Sequence, residues 1–196
     1  MPKIVDHEQQ RRKLSSTVVA ALAELGMENT SLRTVAMRHG CTKGMVQHYF
    51  ADKEELLLAA LSSIEEQREA RLSDLGVNSE GLALLHSRLA VQLPTTPIVT
   101  DEWKVRFAFA TRANLSREIG DRLSQSHSRH QRIGISCLRR AQKIGELKMG
   151  LNLRNSYRSL VALLHGISLS VISNAESPVA AVQRQMLKTA IENLRR

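Results

Sequence analysis

Residues Thr42 to Leu56 read TKGMVQHYFADKEEL, a stretch that mixes small, polar, aromatic and charged side chains without a run of core. It makes sense as the second half of a helix-turn-helix spanning Leu32 to Tyr49. Where two such helices cross, a small residue is needed, and Ala36 stands there. The turn needs a residue free to take positive φ, and Gly40 follows four positions later. Val46, six beyond the glycine, is the branched apolar anchor of the second helix. On that helix Met45, Val46 and Tyr49 share one face, while Lys43, Gly44, Gln47 and His48 share the other. One face can pack while the other enters a major groove.

The residue types on the outward face suit that task. Gly44 lets the helix backbone come close to DNA. Thr42 offers a hydroxyl and free N–H groups at a helix start, a natural phosphate contact. Lys43 can reach a guanine edge or a phosphate, and Gln47 can pair with an adenine edge through two hydrogen bonds. Lys53, opening the next helix, is placed for a second phosphate. The expected DNA contacts are Thr30, Ser31, Thr42, Lys43, Gly44, Gln47, His48, Tyr49 and Lys53.

Outward from this stretch the chain reads as all-α, with about nine helices and four prolines in 196 residues. A first helix runs from about His7 to Leu25, with the stripe Leu14, Val18, Ala21, Leu22, Leu25, and ends at Gly26. Thr30 and Ser31 are hydroxyl residues suited to cap the second helix. Asp52 and Glu55 have capping-box spacing and begin a helix expected to reach Leu75, broken by Gly76, Asn78 and Ser79. Further helices are expected near 80–93, 100–114, 117–144, 155–174 and 178–194. The organisation expected is a DNA-binding domain over 1–51 and a ligand-binding and dimerisation domain over 52–196.

Composition limits the function classes. Two cysteines, Cys41 and Cys137, are too few for a disulfide framework and fit a reducing cytoplasm. No apolar stretch approaches membrane-spanning length, so no membrane is expected. The net charge of +9 lies mostly outside the motif: residues 1–60 carry eight basic and seven acidic residues, the remainder twenty and twelve. Bulk charge therefore says little; position decides. No nucleophile elbow, phosphate loop or paired carboxylates appear, so neither an enzyme nor a cofactor is implied. His127 and His130 have helical metal-ligand spacing but lack a matching carboxylate or second cysteine, so no metal is expected.

TSLRTVAMRHGCTKGMVQHYFADKEELL resembles the signature of TetR-type transcriptional regulators. MPKI, DEWKVRFAFATRA and LLHGISL resemble the BetI-type branch of that family. The resemblance implies an all-helical homodimer with a three-helix DNA-binding domain and a ligand-responsive C-terminal domain. On matching positions it implies DNA contacts by Thr42, Lys43, Gly44, His48, Tyr49 and Lys53. The family usually has tyrosine where this chain has Gln47, so base preference does not carry over.

For the larger body two apolar surfaces need cover. The 155–174 helix carries Tyr157, Leu160, Val161, Leu164, Ile167 and Val171; the last helix carries Val179, Val182 and Met186. A two-fold four-helix interface using Leu160, Leu164, Ile167, Val171, Val182 and Met186 is the expected cover, and it would set two recognition helices one DNA turn apart. Trp103, Phe107 and Tyr157 are candidate ligand contacts for a small organic effector, although each also suits plain core packing. Thirteen Lys/Arg against three acids between Lys104 and Arg158 favour an anion slightly over a quaternary amine. The expected function is a ligand-released, homodimeric repressor of a palindromic double-stranded DNA operator. The alternative is a helical ligand-binding or interaction module without operator binding.

Overall fold

The computed structural model describes residues 7–75, 79–173 and 177–196. The opening MPKI, the helix breakers Gly76 and Asn78, and Asn174 lie outside the described residues. Within them the chain forms nine helices: α1 (His7–Asn29), α2 (Leu32–His39), α3 (Lys43–Tyr49), α4 (Lys53–Ser73), α5 (Gly81–Ala90), α6 (Pro97–Arg112), α7 (Arg117–Lys143), α8 (Leu153–Ser173) and α9 (Ala180–Glu192).

Local chemistry sets most of the boundaries. Gly26, at φ 75° and ψ 172°, interrupts α1 where the sequence predicts its end, and one further turn carries the chain to Asn29. Ser31 caps α2, its hydroxyl accepting from the Thr34 N–H while Thr34 Oγ1 accepts from the Ser31 N–H. Gly40 ends α2 in the left-handed region, with its N–H on Ala36 O and Met37 O. Asp52 caps α4 by accepting from the Glu55 N–H at 2.9 Å, and Glu55 reaches back to the Ala51 N–H. Thr96 with Pro97 starts α6 three residues earlier than expected, because PTTP supplies both the capping hydroxyl and the proline favoured in a first turn.

Two apolar clusters hold the helices together. The first joins Leu14, Val18, Leu22, Val35, Ala36, Val46 and Phe50 to the buried face of α4, and continues into Val105, Phe109 and Ile119 of α6 and α7. The second gathers α5 to α9 around Leu85, Leu138, Leu164 and Leu187. Because α1 packs on both α4 and α6, the small N-terminal module is fastened to the body over two surfaces. Leu25, expected in the α1 stripe, is 38% exposed instead, just before the Gly26 kink.

Candidate nucleic-acid interface and effector cavity

The two faces of α3 separate as the spacing requires. Val46 is fully buried and Met45 and Tyr49 are partly so, while Lys43, Gly44, Gln47 and His48 are exposed. Thr42 is exposed at the N-cap, its hydroxyl accepting from the Met45 N–H at 3.2 Å. A Cβ on Gly44 would meet only the Thr42 hydroxyl, so the helix surface there is open. Tyr49 stacks on His7 with ring centroids 4.5 Å apart, and His48 sits edge-on to Tyr49 at 5.3 Å. Lys53 Nζ donates to Glu28 O at 3.1 Å, so its ammonium lies beside the last turn of α1.

One expected contact is corrected. Thr30 has no exposed surface, and its hydroxyl donates to Gly26 O at 2.8 Å, so it closes the turn before α2 and cannot touch DNA. Ser31 stays partly exposed, with its hydroxyl spent on the cap.

A cavity of about 300 Å³ lies between α4, α6, α7 and α8. Trp103, Phe107 and Tyr157, singled out from the sequence, all line it. Trp103 also packs in the second cluster and donates its indole N–H to Gln92 O at 2.7 Å, which fixes the ring. Tyr157 lies against Gly134 of α7, where any Cβ would collide with its ring. The two histidines of the metal-like spacing, His127 and His130, face this cavity.

Sequence reasoning misses the charged residues in and behind its wall. Glu102, 1% exposed, receives both guanidinium nitrogens of Arg71 at 2.8 and 2.5 Å, tying α6 to α4. Arg106, 13% exposed, comes no closer to Glu102 than 3.8 Å, and its Nη2 has no hydrogen-bond partner among the described residues. Its guanidinium carbon lies 4.9 Å from the centre of the Trp103 ring. Burial, reinforced by the nearby Arg68, pulls the Arg106 pKa down to about 9. Arg68 donates to Ser126 Oγ at 2.8 Å and lies 3.2 Å from His130 Nδ1, leaving its Nε unpartnered among the described residues. Burial lowers its pKa too.

His130 and His165 are both held below the usual histidine pKa by burial, with Arg68 adding for His130 and His127 for His165. His130 Nδ1 stands 2.7 Å from Ser126 O, a distance that calls for an Nδ1–H donor. Past Arg68, Ser126 and His130 the cavity meets an open cleft flanked by Arg122, Arg129 and Arg132 of α7.

A sequence signal for the charged wall exists in hindsight. Val99, Glu102, Trp103 and Arg106 follow the i, i+3, i+4, i+7 spacing of an inward helix face. Two charges in that stripe have to face the interior.

The expected dimer residues divide in two. Leu160, Leu164 and Ile167 are buried within the subunit, packed into the second cluster, so they are corrected from interface to core. The cover this stripe needs comes from α6, α7 and α9 of the same chain. Val182 and Met186 remain 47% and 39% exposed, and Val171 is half-buried. Val182 and Met186 join Leu163, Thr189 and Ala190 around an apolar hollow on the outer side of α8 and α9. No helix among the described residues is long and apolar enough to cross a membrane.

Comparison with known proteins agrees with this architecture. The family of bacterial regulatory proteins of the tetR type matches residues 18–60, and the C-terminal domain of BetI-type transcriptional repressors matches 82–196. The regulator PksA of Bacillus subtilis (strain 168) is 31% identical over 126 residues, 62% of this chain and 60% of that protein. The regulator BetI of Escherichia coli (strain K12 / DH10B) is 36% identical over 84 residues, 42% and 43% of the respective chains. The chain thus spans about half the length of these curated relatives.

Among solved structures, a transcriptional regulator from Rhodococcus sp. Rha1 superposes with a TM-score of 0.82 at 25% identity, over 94% of this chain and 95% of its own. A regulator from Saccharomonospora viridis, solved with choline, gives 0.88 at 24% identity over 96% and 99%, a likeness of fold alone. All of these relatives are transcriptional regulators. With both of its parts matched and more than half its length in the second match, the chain belongs to the TetR family of transcriptional regulators, in the BetI-type branch.

Proposed function

We propose that the protein is a cytoplasmic, homodimeric repressor that binds a palindromic operator and is released by a small organic effector. The observation that carries this reading is α3 itself: a buried Val46 behind an exposed Lys43, Gly44, Gln47 and His48. Lys43 and Gln47 read base edges, while Thr42, Tyr49 and Lys53 hold phosphates. Residues up to about 51 form the DNA-binding unit, and the remainder binds the effector and the second subunit.

Two recognition helices have to sit ~34–36 Å apart to read a palindrome, and a dimer supplies that spacing. The apolar hollow of α8 and α9 is the surface for it, since Val182 and Met186 are left open within one subunit. Two such helices from each copy would make a four-helix interface.

Effector control runs through α4. Its N-terminal turn follows α3 after three residues and is tied to the cap of α7 by Ser116 Oγ donating to Glu54. Farther along, Arg122 donates to Ser62, Arg68 to Ser126, and Arg71 to Glu102. An effector that draws Arg68 away from Ser126 loosens α4 from α7 and moves the recognition helices off their one-turn spacing. A ~100-fold loss of DNA affinity requires ~2.7 kcal/mol of differential effector binding.

Selection of bound DNA from a random duplex pool tests the reading. An inverted repeat with half-sites centred about 10 bp apart is expected. Recovery of unrelated sequences at every round would leave only the interaction-module reading.

A further inference from the structure

We propose that the cavity between α4, α6, α7 and α8 takes an organic carboxylate with an apolar body, its head group held by Arg106 and Arg68. The inference rests on the effector-binding reading above and specifies its ligand class.

Three observations carry it. First, both arginines line the cavity and each keeps a buried nitrogen without a partner among the described residues. Glu102 is already engaged at both oxygens by Arg71, so Arg106 Nη2 is buried without a hydrogen-bond partner among the described residues. Arg68 Nε is in the same condition. A buried guanidinium nitrogen left open is unfavourable until an acceptor arrives, and a carboxylate offers two acceptor oxygens in matching geometry. Second, among the described residues lining the cavity Glu65 is the one carboxylate, against Arg68 and Arg106. Arg68 lowers the tendency of Arg106 to stay protonated, and an anion between them relieves that repulsion. Third, the Trp103 face that an organic cation would use is taken. A quaternary amine seeks an aromatic face, and the Trp103 face already carries the Arg106 guanidinium at 4.9 Å.

The remainder of the wall gives the ligand its body. Leu61, Ile64, Leu89, Phe107 and Val161 surround an apolar space, and 300 Å³ is enough for a phenylalkyl or medium acyl group. Head group and body thus face different chemistry within one cavity.

Trp103 is the only tryptophan in the chain, so its fluorescence reports on the site directly. The probes are 4-phenylbutyrate, 4-phenylbutan-1-ol and 4-phenylbutyltrimethylammonium, which share one body and differ in head group, with straight-chain carboxylates of four to twelve carbons beside them. The carboxylate should bind at least about 30-fold more tightly than the alcohol, with the ammonium weakest. Arg106→Gln should bring carboxylate and alcohol to within about 3-fold of each other while leaving alcohol affinity unchanged; Arg106→Lys should recover part of the difference. Circular dichroism checks folding. If Arg106→Gln fails to fold, Arg68→Gln and Arg106→Lys, each narrowing the carboxylate–alcohol gap, carry the same test.

Equal or tighter binding of the alcohol or the ammonium overturns the proposal. So does loss of both head groups alike in the arginine variants, or the absence of saturation by any carboxylate at millimolar concentration. Operator release measured on the same compounds separates this proposal from the regulator reading. Release by the ammonium alone would keep effector control and remove the anion site; arginine-dependent carboxylate binding without release would do the opposite.

Discussion

Arg71 and Glu102 form a two-point ion pair, 2.8 and 2.5 Å, that joins α4 to α6. The carboxylate is 1% exposed and the guanidinium 28%, so the pair is largely out of water. Removing one partner of such a pair strands the other charge. Glu102→Ala strands two, since Arg106 loses its nearest carboxylate as well. We expect a loss of about 3–5 kcal/mol in chemical denaturation, whereas replacing Arg71 and Glu102 together by Met and Leu should cost far less. Equal losses in the two variants would deny that the pair acts as a unit.

Acidification should weaken the fold through His130 and His165. Both have folded pKa values below the ordinary histidine value, chiefly from burial. Protons then bind the unfolded chain first, so stability is fully present above the unfolded pKa and falls as pH drops below it. Arg68 and Arg106 oppose protonation of His130, and Glu69, 3.0 Å from Nε2, only partly offsets them. His127 and Arg106 oppose protonation of His165. Denaturation curves between pH 7.5 and pH 5.5 should show declining stability, and His130→Gln should flatten the decline. An unchanged slope would show that His130 keeps its ordinary pKa.

The dimer prediction follows the corrected surface. Met186→Glu places a charge on an exposed position at the edge of the apolar hollow, so each subunit should fold while association fails. Analytical ultracentrifugation should show monomers with weak operator binding. Persistence of a dimer would move the interface elsewhere. Charges at Leu164 or Ile167 would not make this test, because both are core residues whose replacement unfolds the subunit.

The motif was legible from sequence because its demands are local. Ala36, Gly40, Thr42 and Val46 each satisfy a steric or capping need within one turn of the chain, and the structure places Gly40 at φ 75° and Val46 out of solvent. The cavity was only half legible. The aromatic walls Trp103, Phe107 and Tyr157 could be named, but Arg106 and Glu102 look like surface charges until the α6 stripe is traced through them. That Leu160, Leu164 and Ile167 belong to the subunit core could not be read from the stripe at all. Its width shows how much surface needs cover, whereas which neighbour provides it depends on the tertiary placement of α6, α7 and α9.

The central claim is that the outward face of α3 reads DNA, and one comparison tests it most directly. Gln47→Ala and Lys53→Ala are measured against a panel of single-base variants of the selected operator, at several salt concentrations. Gln47→Ala should cost ~1–3 kcal/mol and erase preference at one base position in each half-site. Lys53→Ala should weaken every sequence alike and reduce the salt slope by about one. Identical behaviour of the two variants across the panel would contradict the assignment of base reading to α3.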